Sequence, residues 1–194
     1  MVVYAQKSTP SRPHDQTYLA MYGYKAPRPQ PTHVNVVKSL LALAIIGHTD
    51  CDLKLASNAR VFQWTTVPST RDPVREHPLH ALVHPLFAPG YELPVRGVQG
   101  ATKDRAIRPQ NYEALGHISP KTHVVVIDDS WVSGGSAQSV ASAVRNAGAA
   151  SVSILAVARI LDPSWSTTTD FLRQGRLAQD FGYKVCPWTG SACP

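Results

Sequence analysis

His123-Val-Val-Val-Ile-Asp-Asp-Ser-Trp-Val-Ser-Gly-Gly-Ser-Ala137 is the stretch that decides how the rest of the chain is read. Val124 to Ile127 is an unbroken apolar run, which predicts a strand buried on both faces, the mark of a parallel sheet. It ends in two adjacent carboxylates, Asp128 and Asp129, placed at the strand's tip. Ser133-Gly134-Gly135-Ser136 then opens a helical pattern whose inner face is Ala137, Val140, Ala141 and Val144. Gly148 stops that helix just past its cap, and Val152 to Ala158 is the next buried strand. In an open parallel sheet, ligands sit beyond the carboxyl ends of the strands. A small-residue loop at a helix N-terminus offers backbone N–H groups to an anion. The acids beside it suit hydroxyls or a metal, not more phosphate. A phosphate and a diol held side by side describe a sugar phosphate.

Outward from this centre the pattern stays α/β. Val61 to Val67 reads as a strand by its aromatic and β-branched content, ended by Pro68 and followed by a polar loop from Ser69 to Glu76. A short helix starts at Pro78 with Leu79, Leu82 and Val83 inward. Residues 33–46 carry a helical period through Val37, Leu40, Leu41, Ala44 and Ile45, with Thr32 as its cap. Tyr91 to Val98 reads as a strand, 99–116 as a polar connection, and 163–178 as a helix anchored by Phe171, Leu172 and Leu177. Five prolines between Pro10 and Pro31 argue against regular structure in the lead-in. The expected organisation is an irregular arm over 1–31, an α/β domain over 32–179, and a tail over 180–194. The fold class is α/β: a Rossmann-like open parallel sheet flanked by helices.

Composition narrows the classes. In 194 residues, 43% apolar content suffices for a core, and no run of 18 apolar residues offers a membrane span. The start lacks an apolar segment of signal-peptide length, so a cytoplasmic protein is expected. Net charge is +6, with basic residues gathered in the arm (Lys7, Arg12, Lys25, Arg28) and over 96–108 (Arg96, Lys103, Arg105, Arg108). The arm's cluster reads as solvated surface and the second as functional. The excess is small and not interleaved with aromatics, so nucleic acid is not the expected partner. Cys51, Cys186 and Cys193 make no disulfide framework. With His48 they supply four ligand types for zinc, but at loose spacing; free buried thiols are the favoured reading, zinc is not expected, and a Cys186–Cys193 bridge stays open. His80 and His84 stand at i, i+4 and are read as a solvated or packed face rather than a metal site.

The segment VVVIDDSWVSGGSA resembles the phosphoribosyl-pyrophosphate (PRPP) motif of type I phosphoribosyltransferases: an apolar strand, two acids, and a small-residue Gly-Gly loop. The resemblance covers roughly 120 residues, from about Val61 to Arg159 with strand order counted. The layout is most similar to the ComF-like branch, through Tyr24-Lys25, Val67-Pro68, the basic 96–108 segment and Asp128-Asp129. It implies the type I phosphoribosyltransferase fold and Mg²⁺-dependent transfer of the 5-phosphoribosyl group to a nitrogenous base or other nucleophile, with release of pyrophosphate. Asp128 and Asp129 would then take the ribose hydroxyls, and Ser130, Val132, Ser133, Gly134, Gly135 and Ser136 would complete the PRPP site. Ser69, Thr70, Arg71 and Arg75 would face pyrophosphate, in a loop that often holds a cis peptide. Lys103, Arg105 and Arg108 fall where the family has a flexible catalytic loop. Mg²⁺ would be held mostly by PRPP and water, with Asp128 or Asp129 in reach.

Two departures carry weight. Val132 stands where enzymes acting on 6-oxopurines have an aspartate, which disfavours that acceptor class. Trp131 is large for its place; core packing is favoured for it over stacking at the ligand mouth. Trp131, Arg159, Leu161 and Trp165 are the candidates for a base hood. The acceptor stays open, as does the oligomeric state, although the superfamily is usually dimeric and a homodimer fits its habit. The alternative keeps the fold without catalysis, as a PRPP- or nucleotide-binding regulator or a ComF-like DNA-uptake protein.

Overall fold

The run around Val124–Ile127 lies inside a four-stranded, all-parallel sheet. The computed structural model describes residues 2–8, 13, 15–55, 61–70, 72, 75–102, 104–173, 182 and 185–194. In chain order its elements are β1 (Val3–Gln6), α1 (Gln16–Gly23), α2 (Pro31–Ile45), α3 (Thr49–Leu55), β2 (Val61–Thr66), α4 (Pro78–Val83), β3 (Val95–Gly97), β4 (Tyr112–Ala114), β5 (Thr122–Trp131), α5 (Gly135–Asn146), β6 (Ser151–Leu161) and α6 (Ser166–Arg173). The sheet order is β1-β6-β5-β2, and β3 and β4 form a separate antiparallel ribbon. This is an α/β architecture compatible with a Rossmann-like fold. No helix among the described residues is long and apolar enough to cross a membrane.

The pleat of β5 explains the two-sided burial. Successive strand residues point to opposite faces. Val125 and Ile127 join Val37, Leu41, Trp64 and Leu79 on one face, under α2 and α4. Val124 and Val126 meet Ala137, Val140 and Val144 of α5 on the other. All four β5 residues are at most 3% exposed, and each contributes roughly 1.5–3 kcal/mol by burial. At the end of α5 the Ala149 N–H reaches the Val144 carbonyl at 3.2 Å and the Gly148 N–H reaches Arg145 at 3.0 Å. Gly148, at φ 113°, makes this left-handed exit possible without strain.

Several expectations change. The lead-in is not irregular: β1 adds an edge strand beside β6, and α1 buries Ala20 and Met21. Asp15 joins the two, its Oδ1 accepting the Tyr18 N–H at 2.6 Å and its Oδ2 accepting the Gln6 N–H at 2.5 Å. The cap of α2 is Gln30, not Thr32, because Pro31 supplies the fixed φ of a first helical residue. Within 91–98 only Val95–Gly97 is strand, and the connection after it contains β4. Of the helix expected over 163–178, Ser166–Arg173 is helical with Phe171 buried; 174–178 lie outside the described residues. Strand β5 runs past the acids to Trp131, so they do not stand at its tip as expected.

His80 is more than a packed face. Its Nδ1 pairs with Glu76 and its Nε2 lies 2.8 Å from Glu92, so two carboxylates raise its pKa against the opposing effect of burial.

A buried polar network ties α3 to the amino end of the sheet. His123 Nε2 lies 2.7 Å from Asp52 Oδ2 and His123 Nδ1 lies 2.7 Å from Ser151 Oγ. The Ser153 hydroxyl donates to Asp52 Oδ1 at 2.5 Å. His123 and Asp52 are 2% and 4% exposed, so removing either strands its partner away from water. Asp52→Ala is expected to cost about 3 kcal/mol in urea unfolding. A loss below roughly 1 kcal/mol, typical of a surface change, would contradict the network's role.

Candidate functional site

Five segments converge at the carboxyl ends of β2 and β5 around a cavity of about 420 Å³. The turn after α1 brings Lys25. The end of β2 brings Val67, Pro68, Ser69 and Thr70, and the start of α4 brings His77. Strand β5 and the turn after it bring Asp128, Asp129, Ser130, Val132, Ser133 and Gly134, and α5 begins with Gly135 and Ser136. Tyr112 of β4, with Asp104 and Arg105, closes the remaining side.

The pleat separates the twinned acids while both still border the cavity. Asp129 is turned toward α1 and α4. It pairs with the Lys25 ammonium, accepts the Tyr24 hydroxyl at 2.6 Å and accepts Ser130 Oγ at 2.8 Å. Burial opposes its charge, but the Lys25 charge and these hydrogen bonds outweigh burial and hold the carboxyl below the usual range. Tyr24 is pushed well above an ordinary phenol by burial and by Asp129, so it remains a donor. Asp128 accepts the Asp129 N–H at 2.9 Å. Burial first, then the neighbouring negative Asp129, pushes it up to about 8. One acid is thus kept ionised beside one kept protonated near neutrality. His77 caps α4: its Nδ1 accepts the Leu79 N–H at 3.2 Å, which leaves the ring proton on Nε2, 4.0 Å from Asp129. Burial lowers the His77 pKa, Asp129 opposes that and Lys25 adds to it, so the balance favours the uncharged ring.

The loop before α5 is shaped by what presses on it. Gly134 has φ 78°, and a Cβ there would lie 2.2 Å from the Trp131 ring. At Gly135 a Cβ would lie 2.3 Å from the Arg105 carbonyl oxygen. Both positions need glycine. The first N–H groups of a helix have no intrahelical acceptor, so this end of α5 presents donors to the cavity beside the Ser136 hydroxyl.

The structure brings together Asp128, Asp129, Ser130, Val132, Ser133, Gly134, Gly135, Ser136, Ser69, Thr70 and Arg105. Arg71 and Lys103 lie outside the described residues. Arg75 is exposed and absent from the cavity lining, and no described peptide bond is cis. Arg108 is also off the cavity: it pairs with Asp104 at 2.6 Å, its i−4 neighbour, and its N–H is fixed to Ser139 Oγ at 2.8 Å. Residues 104–107 are exposed, but they are tied there and by the Arg105 guanidinium over Trp165 at 4.1 Å. Trp131 packs at the edge of the α5-side core and covers Gly134; Arg159 stacks on Phe171 at 4.7 Å. Neither Trp131, Arg159 nor Trp165 lines the cavity.

Lys25, Tyr24, His77 and Tyr112 were not singled out as site residues by sequence. By sequence Lys25 belongs to a solvated basic arm, although Tyr24-Lys25 resembles a family segment; only the fold sets it against Asp129, 104 positions further along the chain.

Comparison with protein-family models, curated proteins and solved structures finds no match for this chain.

Two outcomes follow from the geometry. The folded pKa of Asp128 lies above its unfolded value near 3.9, so folding takes up a proton between about pH 4 and 8. This group's contribution to stability is therefore fully present below pH 4 and lost as pH rises through 8. Urea midpoints of Asp128→Asn are expected to fall less from pH 5 to 8.5 than those of the unaltered chain; parallel pH profiles would refute the shift. Gly134→Ala is expected to be destabilising by at least about 1–2 kcal/mol from the left-handed backbone alone. Its cost should shrink in a Trp131→Ala background, where the clash is relieved, and equal costs in both backgrounds would show that the ring does not press on the loop.

Proposed function

We propose that this chain has the type I phosphoribosyltransferase fold and binds PRPP in the cavity at the ends of β2 and β5, transferring its phosphoribosyl group to a nitrogenous base or another nucleophile with release of pyrophosphate. The observation that carries the reading is a single cavity bordered on one side by Asp128 and Asp129, on a second by the Gly134–Ser136 start of α5, and on a third by Ser69 and Thr70. Its volume is in the range of small-molecule sites.

In this reading the 5′-phosphate rests on the N–H groups and hydroxyl of residues 134–136. The ribose hydroxyls donate to Asp128 and Asp129, so Asp128 must give up its proton when PRPP binds. The two carboxylates then favour a ring that becomes cationic as the leaving group departs. Lys25 and Tyr24 fix the Asp129 carboxylate in place. Ser69 and Thr70 are the cavity groups on the side where pyrophosphate would leave, and Arg105, whose guanidinium lies over Trp165, borders the cavity there through its backbone. Val132 offers no proton to exchange, which argues against a 6-oxopurine acceptor.

The donor set fits Mg²⁺ held indirectly. Asp129 is already engaged by Lys25, Tyr24 and Ser130, so Asp128 is the carboxylate in reach of a hard cation whose other ligands are PRPP oxygens and water. When bound, Mg²⁺ supplies charge to offset that of the departing pyrophosphate.

The test is calorimetry with PRPP and Mg²⁺, followed by a pyrophosphate-release assay over a panel of bases. Binding is expected to tighten roughly fivefold from pH 7 to 8 as Asp128 deprotonates, and to weaken at least tenfold in Asp128→Asn/Asp129→Asn. Base-dependent pyrophosphate release supports transfer. Binding without release with any base would favour a PRPP-sensing role, and unchanged affinity in the double variant would overturn the site.

A further inference from the structure

Far from the acid pair, at the other end of β5, four side chains from two distant parts of the chain meet. His48 lies in the turn after α2 and Cys51 in the first turn of α3. Cys186 and Cys193 lie at the two ends of a tail loop. Their four ligand atoms all fall within 4.8 Å of one another. His48 Nδ1 is 3.7 Å from Cys51 Sγ and 3.3 Å from Cys193 Sγ. With Zn–S near 2.3 Å and Zn–N near 2.0 Å, the edges of a tetrahedron are about 3.5–3.8 Å. The groups already stand close to those edges.

We infer that His48, Cys51, Cys186 and Cys193 form a closed, structural zinc site that clips the tail of the chain onto the α2–α3 turn.

Local structure presents the ligands to a common centre. The Cys51 N–H donates to the His48 carbonyl at 3.1 Å, which places both side chains on one side of a tight turn. The Cys186 N–H donates to the Ser191 carbonyl at 2.9 Å and the Gly190 N–H to the Cys186 carbonyl at 2.8 Å, so the tail loop doubles back and returns Cys193 beside Cys186. The ligand set is three thiols and an imidazole without a carboxylate, which suits zinc and not magnesium or calcium. Four protein ligands leave no open position for a substrate, so the site is structural. Three of the four are buried and Cys193 is at the rim.

The tail needs such a tie. Residues 189–194 are all exposed; beyond Cys186, Trp188 is half-buried against the core and the Pro194 carbonyl accepts from Lys54 Nζ at 3.1 Å. That is little apolar burial to offset the entropy of ordering the loop. The three cysteines are free of disulfides, so no covalent link does this work. Cys51 adjoins Asp52, whose carboxylate holds His123 at the amino end of β5, so the clip would brace the sheet through α3. His123 and Asp128 are five strand positions apart on β5, about 17 Å, so the zinc site is independent of the cavity and of the function proposed for it.

Metal analysis of the full chain, purified without added metal and passed through a desalting column, tests this directly. About one zinc per chain is expected. Cys186→Ser and Cys193→Ser are each expected to lower retained zinc at least tenfold, while Asp129→Asn leaves it unchanged. Replacement by Co²⁺ in the unaltered chain should give the visible absorption of tetrahedral thiolate cobalt, and this readout does not depend on any variant folding. Chelation should lower the thermal midpoint of the unaltered chain. A chain without stoichiometric zinc, or an intact mass lighter by the two hydrogens of a disulfide among these cysteines, would overturn the proposal.

Discussion

Two consecutive carboxylates at the end of a buried strand cannot both be charged without help, and the local structure of this site follows from how that conflict is resolved. The pleat sends Asp129 to the α1 side, where Lys25 pairs with it and Tyr24 donates at 2.6 Å. Asp128 stays on the cavity side, pushed up to about 8 by burial and by its neighbour. Lys25 and Tyr24 follow α1, and α1 is anchored through Asp15 to β1, which pairs with β6. The edge strand therefore does more than widen the sheet: it positions the cation that lets Asp129 remain ionised.

The same end of the sheet carries a second constraint. Gly134 and Gly135 are pressed from two directions, by the Trp131 ring and by the Arg105 backbone. The indole fills the space a side chain at 134 would take, and the 104–108 segment lies across the start of α5, fixed there by the Arg108 N–H on Ser139. Donors at a helix start and acids at a strand end are thereby held on the margin of one cavity. That arrangement suits a ligand with an anion at one end and hydroxyls at the other, which is why a phosphorylated pentose is the ligand proposed for it.

The centre of the fold was legible because its signals are local. The β5–α5–β6 unit is written in unbroken apolar runs, a helical period and Gly148, and each of these acts within a few residues of itself. What was missed depends on partners far along the chain. Strand β1 is four residues long in a proline-rich lead-in, and its strand character comes from pairing with β6. Lys25 looked like one of several surface cations until the fold placed it against Asp129. Cys51 and Cys186 are 135 positions apart, and no spacing rule reaches that far. Arg108 is different: Asp104 at i−4 was visible in the sequence, and that pairing takes Arg108 out of the cavity.

The most direct measurement is a crystal structure of the chain with Mg²⁺ and PRPP, or with ribose 5-phosphate. The account predicts the ring hydroxyls within hydrogen-bond distance of Asp128 and Asp129, and the 5′-phosphate on the N–H groups of Gly134, Gly135 and Ser136. A sugar phosphate bound elsewhere, or bound in the cavity with its phosphate turned away from the start of α5, would contradict it.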